Sequence, residues 1–182
     1  MKRNDIVEIR IDSLSFPNKG KGVSDGVPVT VKNTLPGQTV LTRISKKRNG
    51  AAEGQLKEVL ERSPMETEKG CSHCDLCGGC NYQRLTYENE VELKKNMVLD
   101  ILENSGINGF AFEGIVPAPS SSAYRNKCEF SFGDSEKDGD LALGMRKRGS
   151  FYEVVTLKDC NIVDNDFLKI IDGTLRFFTE RG

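Results

Sequence analysis

The sequence predicts a β-rich α+β fold, with an N-terminal barrel of five short strands followed by a small domain of mixed helices and strands. Apolar residues alternate with polar ones in short runs over residues 5–60, which is the period of β-strands. Two longer segments further on show helical spacing instead. Four of the six cysteines lie between Cys71 and Cys80, in the first loop after the predicted barrel.

Charge divides the chain near the same point. Residues 1–60 carry 11 Lys and Arg against 6 Asp and Glu, whereas residues 61–182 carry 15 against 21. A small basic module is typical of nucleic-acid binding, because phosphates favour local positive potential. An unevenly charged, solvated surface explains the same counts equally well. We therefore predict two modules, residues 1–62 and 63–182.

The barrel strands are assigned from alternation and turn signals. Clear strand patterns occur in "DIVEIRID", "VPVTVK" and "QTVLTRIS", and "GQLKEVLER" is assigned as the last strand although its composition also permits a helix. Pro36-Gly37 marks a turn. Gly20, Gly22 and Gly26 fit tight turns at the rim of a barrel. The basic run Lys46, Lys47 and Arg48 is expected on a hairpin between the later strands.

The second module begins after a polar, proline-containing linker over residues 61–70. A helix is predicted from the candidate N-cap Thr86 to Gly106, with a core stripe that includes Val98 and Ile101. Three strands are predicted in "AYRNKCEFSFG", "DLALGMRKRG" and "SFYEVVTL", with the acidic turn "DSEKDGD" between the first two. The last predicted helix is "NDFLKIIDGTLRFF", with Ile170 and Ile171 on its apolar side.

The composition of the chain bears on its cellular compartment and on the redox state of its thiols. Apolar residues make up 37% and charged residues 29%, and no apolar run is long enough to cross a bilayer. The N-terminus has basic residues but no hydrophobic stretch behind them, so we predict a cytoplasmic protein without a secretory signal. Cytosolic thiols stay reduced, and a disulfide framework is therefore disfavoured.

Clustered cysteines in a reducing compartment indicate metal binding, by zinc or by an iron–sulfur cluster. The loop "CSHCDLCGGC" contains two possible zinc knuckles only two residues apart, which is cramped for one tetrahedral ion. It also lacks the C-x3-C-P ending of a simple ferredoxin. Three ligands from the loop and one distant ligand remain possible. Spacing does not decide between Cys128 and Cys160, nor which loop cysteine is spare.

Four segments, in consistent order, resemble the RNA uracil-5-methyltransferase family. They are the barrel pattern "GKGVSDGVPVTVKNTLPGQTVLTRISKKR", the signature C-x5-CGGC-x2-Q from Cys71 to Gln83, "YRNKCEFSFG" and "KDCNIV". The first segment is similar to that family's N-terminal TRAM domain, a barrel of oligonucleotide-binding type. The resemblance covers nearly the whole chain and implies a 23S ribosomal RNA (uracil-5-)-methyltransferase, which uses S-adenosylmethionine.

The resemblance also implies the ligand set, which is Cys71, Cys77, Cys80 and Cys160 on a [4Fe–4S] cluster. Cys74 is then spare, and Cys128 becomes a buried packing thiol. His73 is an alternative ligand by chemistry, but we expect an exposed loop residue once the cysteines supply enough ligands. Such a cluster would tie the loop to a strand end some eighty residues later and stabilise a small domain.

RNA contacts are predicted at three basic groups, on a protein that we expect to be monomeric. The family's segment containing Arg125, Asn126 and Lys127 faces RNA, and these side chains suit phosphates and base edges. Lys46, Lys47 and Arg48 form a second group, and Arg146–Arg148 a third.

The family's methyl transfer requires a Rossmann-like domain that binds S-adenosylmethionine, and the sequence shows no such segment. We therefore expect an N-terminal portion with an incomplete second domain, inactive by itself. A stand-alone RNA-binding adaptor held by zinc or a cluster is the main alternative. A radical enzyme is disfavoured because the chain lacks C-x3-C-x2-C and its barrel comes first.

Overall fold

The computed structural model of the protein describes residues 1–68 and 70–181. Within these residues the chain is mostly sheet, with two α-helices. The elements in chain order are β1 (Ile6–Arg10), β2 (Ser13–Ser15), β3 (Lys19–Ser24), β4 (Val27–Lys32), β5 (Thr39–Arg48), β6 (Ala51–Glu61), α1 (Tyr87–Asn104), β7 (Ser131–Asp134), β8 (Leu141–Arg146), β9 (Val154–Thr156) and α2 (Asn165–Thr179).

The chain divides into two compact units, each made of two segments. The sheet unit contains Met1–Glu66 and Glu88–Ile115. The cysteine unit contains Thr67–Tyr87 and Val116–Gly182. The division of the chain at residue 62 remains a prediction.

The sheet unit is built on a curled six-stranded sheet in the order β1-β5-β6-β4-β3-β2. Its ladders are antiparallel except for β4 and β6, which pair in parallel. The two strands at the ends of this order, β1 and β2, are separated along the chain only by Ile11 and Asp12. Ile11 N donates to Gln38 O at 2.8 Å, and Asp12 N donates to Lys21 O at 2.8 Å. One bent segment therefore supplies both ends of the sheet.

The core of this sheet follows the predicted alternation. Val29 and Val31 on β4 are 1% and 0% exposed, whereas the intervening Thr30 is only partly buried. The buried cluster consists of Ile9, Ile11, Val29, Val31, Val40, Ile44 and Ala52. Full burial of one such aliphatic side chain contributes about 1.5–3 kcal/mol.

Two predictions for this region are wrong. The sheet of this unit has six strands rather than five. The additional strand is β2, which follows the bend at Ile11 and Asp12 and, at three residues, is too short to show alternation. Gly20 and Gly22 lie within β3, and only Gly26 (φ 71°) lies in a turn. A Cβ at Gly22 would lie 2.1 Å from Arg10 O, and one at Gly20 would lie 2.0 Å from Thr34 Oγ1. These glycines permit close packing rather than a turn.

The predicted turns are confirmed. Gly37 has φ of 87° and Gln38 N donates to Leu35 O at 3.2 Å, as in a turn that needs glycine at its third position. Asn49 and Gly50 both have positive φ and join β5 to β6, the pattern of a tight hairpin.

Residues 62–66, after β6, are more ordered than the predicted linker, of which Lys69 lies outside the described residues. Ser63 is buried, and its hydroxyl donates to Pro36 O at 2.5 Å. Glu66 accepts from Ser63 N and from the Gln38 amide, at 2.8 and 2.7 Å. The polar composition of this segment predicted a linker, but its polar groups form hydrogen bonds with the turn at Pro36.

Helix α1 confirms the predicted start and stop. It begins directly after Thr86 and ends before Gly106, whose φ is 73°. Ile107 N donates to Leu102 O, and Gly106 N donates to Glu103 O, which is the Schellman arrangement. The predicted core stripe is wrong in part, because Leu93 and Met97 are buried whereas Val98 and Ile101 are exposed.

The cysteine unit contains an antiparallel sheet in the order β7-β8-β9. The first predicted strand is too long, because residues 123–125 bond to another segment instead. Ala123 N donates to Asn161 O at 2.8 Å, and Arg125 N donates to Ile162 O at 2.9 Å.

Helix α2 is confirmed, with Asp164 as its N-cap accepting from Asp166 N. Ile171 is buried, but Ile170 is exposed, contrary to the prediction. Among residues 1–68 and 70–181, neither helix combines the length and apolarity needed to cross a membrane.

Candidate metal centre

Five cysteines line one cavity within the cysteine unit. The cavity encloses about 300 Å³, part of which is open to solvent. Its lining residues are Cys71, Cys74, Cys77, Cys80, Gln83, Leu157, Cys160, Asn161 and Ile162. The four ligands implied by the family resemblance thus face one space, and Cys74 joins them. Within the described residues, Cys128 is half-buried and does not belong to this lining, so it is less buried than the predicted packing thiol.

Two successive tight turns direct the loop sulfurs toward the cavity. Cys74 N donates to Cys71 O at 3.1 Å, and Cys77 N donates to His73 O at 2.7 Å. Backbone N–H groups also point at sulfur: His73 N lies 3.4 Å from Cys71 Sγ, and Gly79 N lies 3.3 Å from Cys77 Sγ. Donors of this kind stabilise negative charge on a thiolate.

The loop is anchored on the turn that follows β8. Gly78 N donates to Arg146 O at 2.9 Å, and Arg148 N donates to Leu76 O at 2.6 Å. The Arg148 guanidinium donates to two loop carbonyls, Cys77 O at 3.0 Å and Cys80 O at 2.5 Å. This clamp explains the paired glycines of "CGGC". A Cβ at Gly78 would lie 3.0 Å from Arg146 O, and one at Gly79 would lie 2.9 Å from Met145 Cε.

A second anchor joins the loop to the segment that carries Cys160. Lys158 N donates to His73 Nε2 at 3.0 Å, and Ser72 Oγ donates to Asp159 Oδ1 at 2.8 Å. His73 Nε2 also lies 3.3 Å from Asp159 Oδ1. His73 Nε2 thus contacts two groups of this segment, the Lys158 N–H and the Asp159 carboxylate. His73 is therefore a half-buried link rather than the exposed loop residue that we expected.

The cavity is unfavourable for uncompensated thiolates. Burial raises the pKa of Cys71 to about 11, against the lowering effect of the His73 N–H, and nearby Asp159, Cys160 and Cys74 raise it further. Burial likewise raises the pKa of Cys80, and the nearby Cys160 raises it further. A bound cation reverses this balance, because a coordinating thiol is deprotonated by the charge of its metal. The donor set and its surroundings therefore fit a thiolate-bound metal group.

Gln83 and Arg125 complete the surroundings of Cys80. The Gln83 side chain bonds Cys80 and also accepts from Asn161 Nδ2 at 3.4 Å, next to Cys160. Burial acts to lower the pKa of Arg125, but its hydrogen bond to Cys128 and the charges of Tyr124, Cys80 and Cys128 raise it overall. Sequence reasoning included Gln83 in the motif without giving it a role.

The predicted RNA-contacting residues have different surroundings. Arg125 is half-buried beside the thiols, whereas Asn126 and Lys127 are exposed, and Lys127 pairs with Glu129 at 2.7 Å. Lys46, Lys47 and Arg48 are exposed at the end of β5 in the sheet unit.

The side chains of the third basic group, Arg146–Arg148, contact other residues of the cysteine unit. Lys147 pairs with Glu153 at 2.7 Å, and Arg146 donates to Phe151 O while lying 4.5 Å from the centre of the Phe151 ring. Arg148 is the loop clamp, a role that the sequence did not reveal because its partners are carbonyl groups about seventy residues away.

The described part of the chain contains no group of three His, Cys, Asp or Glu side chains close enough to hold a single metal ion.

No family model matches the chain. Among curated proteins, it is 43% identical over 182 residues to an uncharacterized RNA methyltransferase of Caldanaerobacter subterraneus subsp. tengcongensis, covering all of this chain and 40% of that protein. Similar proteins with the same description occur in Clostridium tetani, at 38% identity over 181 residues, and in Synechocystis, at 30% over 182 residues. These alignments cover all of this chain and 40% and 39% of the two relatives.

A solved structure shares the fold. The crystal structure of Pyrococcus abyssi tRNA (uracil-54, C5)-methyltransferase, in complex with S-adenosyl-L-homocysteine, matches with a TM-score of 0.63 and 22% identity. The match covers 95% of this chain and 37% of that one. The chain is therefore a homologue of proteins named RNA methyltransferases, and it corresponds to their N-terminal portion, about 40% of their length.

Proposed function

We propose that this chain is the RNA-binding and [4Fe–4S]-binding part of an S-adenosylmethionine-dependent 23S ribosomal RNA (uracil-5-)-methyltransferase. It positions folded RNA so that a further domain, which this chain does not contain, methylates C5 of a uridine. The relatives are more than twice as long as this chain, which supports the assignment of methyl transfer to another domain. In this proposal the protein is a cytoplasmic monomer, and the chain alone transfers no methyl group.

The observation that carries the proposal is the cavity lined by Cys71, Cys77, Cys80 and Cys160. Four cysteine thiolates are the usual ligands of a [4Fe–4S] cluster. A cubane has its four irons at separate corners, so its thiolates lie further apart than those around one tetrahedral zinc ion, where Zn–S bonds measure about 2.3 Å. The loop places its cysteines only two residues apart, which is cramped for one tetrahedral zinc ion, and this supports the cluster over zinc.

When bound, the cluster supplies four iron–thiolate bonds that link the loop covalently to Cys160. The protein's own groups prepare this site. The N–H groups of His73 and Gly79 point at Cys71 Sγ and Cys77 Sγ, and Arg148 fixes the carbonyls on either side of Gly78 and Gly79. We assign the cluster a structural role, because these contacts hold a loop and do not create an open position for a substrate.

RNA binding is assigned to each unit separately. We propose that the curled sheet is a TRAM domain of oligonucleotide-binding type, with Lys46, Lys47 and Arg48 on phosphates. Their position at an exposed hairpin end supports this assignment. In the cysteine unit, Asn126 and Lys127 present exposed side chains to RNA, whereas Arg125 acts next to the thiols and orients this segment.

Anaerobic purification followed by iron, sulfide and zinc analysis tests the metal assignment. We expect about four irons and four sulfides per chain, with the broad visible absorption of a cubane. Cys160→Ser should lose the cluster, whereas Cys128→Ser, which removes a thiol outside the cavity lining, should retain it. A colourless protein with one zinc would contradict the proposal and favour a zinc-stabilised adaptor.

The salt dependence of binding to a 23S ribosomal RNA transcript tests the RNA assignment. Replacing Lys46, Lys47 and Arg48 together by Gln should reduce the slope of log K against log salt by about 2, since each phosphate contact contributes about 0.7–0.9. The matched control replaces three other exposed lysines of the same unit, Lys19, Lys21 and Lys32, by Gln. Equal losses in both variants would contradict a specific role for the hairpin.

A further inference from the structure

The cavity holds one more thiol than a cubane needs. Cys74 lies in the same lining as the four assigned ligands, and its charge acts on Cys71. The turn closed by Cys74 N and Cys71 O, at 3.1 Å, places these two sulfurs at the same end of the loop. A cluster held at its other corners by Cys77, Cys80 and Cys160 would therefore have two candidate sulfurs for its remaining corner, those of Cys71 and Cys74.

Both possible ligand sets have a chemically sensible spacing. With Cys71, the loop contributes C-x5-C-x2-C. With Cys74, it contributes C-x2-C-x2-C, which is the run of three ligands that bacterial ferredoxins present to their cubanes. The change moves the first ligand by three residues, one tight turn, and leaves the remaining ligands in place.

The electrostatic surroundings do not strongly favour Cys71. Its sulfur is buried and lies 3.8 Å from Asp159 Oδ1, a carboxylate that opposes a thiolate. Cys74 is less buried, and its sulfur lies 3.9 Å from Asp75 Oδ1. The carboxylate of Asp75 is compensated by Arg84, whose guanidinium donates to both of its oxygens. A negative sulfur at position 74 therefore meets a neighbour whose charge is already balanced.

We propose that Cys74 is an alternative ligand for the cluster corner that Cys71 holds, so that the loop binds the cluster in two interchangeable ligand sets. The inference rests on the proposed function, because it requires a cluster in this cavity. It assigns to Cys74 a role that the four-cysteine pattern leaves open.

The test compares Cys71→Ser, Cys74→Ser, the double variant and Cys77→Ser, each purified anaerobically and reconstituted with iron and sulfide. Both single variants at positions 71 and 74 should retain at least half of the wild-type iron and sulfide. The double variant and Cys77→Ser should retain less than a tenth. If Cys71→Ser loses the cluster as completely as Cys77→Ser, while its far-UV circular dichroism stays native, the inference is wrong.

A second readout does not depend on the folding of Cys71→Ser. The reduced wild-type protein should show two overlapping electron paramagnetic resonance species, and Cys74→Ser should show only one of them. Identical spectra for the two proteins would overturn the inference even if Cys71→Ser fails to fold.

The two proposals fail in different ways. Wild-type protein without iron and sulfide would overturn the proposed function, and the ligand exchange with it. Wild-type protein with a full cluster, together with the two negative outcomes above, would overturn only the exchange.

Discussion

In the sheet unit, the side chains of Ile9, Val31 and Ile44 are at most 1% exposed and pack in one apolar cluster. In the cysteine unit, five thiols instead line a cavity that is partly open to solvent, and the surrounding loop is fixed mainly by hydrogen bonds to backbone carbonyls. Apolar burial stabilises a folded unit without any bound metal. We expect the thiol cavity to stabilise its unit most when a metal occupies it, because burial removes solvation that the backbone N–H partners of Cys71 and Cys77 restore only in part.

This contrast indicates that the two units respond to different changes. The stability of the sheet unit should depend on the volume and shape of its core side chains. The stability of the cysteine unit should depend on the metal group that we propose and on the clamp that shapes the loop. Each prediction below is designed to affect one unit and to use the other, or a neighbouring position, as the reference.

Removal of the proposed cluster should have the largest effect. Treatment with chelator and oxidant should lower the hydrogen-exchange protection of the Gly78, Arg125 and Arg148 amides on the order of 100-fold or more, because these bonds hold the loop and its neighbours. Ile11 and Ile44, whose amides bond within the sheet unit, should keep their protection. Equal loss at all five amides, measured by mass spectrometry or NMR, would contradict separate means of stabilisation.

A cavity in the apolar core should have the next largest effect. Ile44→Ala removes a side chain that is 0% exposed, so we expect a loss of about 2–5 kcal/mol in the free energy of unfolding. Ile6→Ala is the matched control, since Ile6 is 56% exposed, and its effect should stay within about 0.5 kcal/mol. Urea unfolding, monitored at the amides of the sheet unit, measures the free energy of unfolding of both variants. Comparable effects for the two variants would show that burial in this cluster is not what stabilises the sheet.

The same contrast explains which parts of the molecule could be predicted from sequence. Pro36-Gly37, Asn49-Gly50 and Gly106 are local signals, since a positive φ or a fixed proline angle depends only on neighbouring residues. The strand position of Gly22 depends on Arg10, which approaches it from another strand, and local patterns do not contain that information.

The candidate site shows the same limit. Residue spacing left Cys128 and Cys160 equivalent as distant ligands, and only the family resemblance distinguished them. The Arg148 clamp was interpreted as one member of a basic run, because charge patterns indicate surface potential and carbonyl acceptors leave no mark in a sequence. The ligand assignment remains a prediction until the metal is measured.

The clamp itself offers a sharper test of the cysteine unit. Arg148→Lys keeps the positive charge but loses the fork that reaches both Cys77 O and Cys80 O. Loss of a hydrogen bond from a charged donor costs about 1.5–3 kcal/mol, so iron transfer to a chelator should accelerate roughly 10- to 100-fold. Arg146→Lys is the control, because Arg146 donates to Phe151 O outside the loop. Faster iron transfer from Arg148→Lys than from Arg146→Lys would support the clamp. Equal rates would show that Arg148 acts only as a surface charge.

The smallest expected effect comes from glycine, and it should have opposite signs in the two units. Gly173 lies inside α2, and a Cβ there would meet no atom within 4 Å. Gly173→Ala should therefore stabilise the cysteine unit by about 0.5–1 kcal/mol, because alanine loses less conformational entropy in a helix. Gly22→Ala should instead destabilise the sheet unit by about 1–3 kcal/mol, because its Cβ would lie 2.1 Å from Arg10 O.

Thermal unfolding of the cluster-loaded protein, with amide exchange to assign each transition to its unit, measures both glycine variants. A stabilising Gly22→Ala would mean that β1 and β3 can separate without cost, in conflict with the close approach of Arg10 O to Gly22. A destabilising Gly173→Ala would mean that α2 needs glycine for a contact in the full-length protein or for a bend in the helix. The sign of each change, more than its size, distinguishes a glycine required by packing from one that merely weakens a helix.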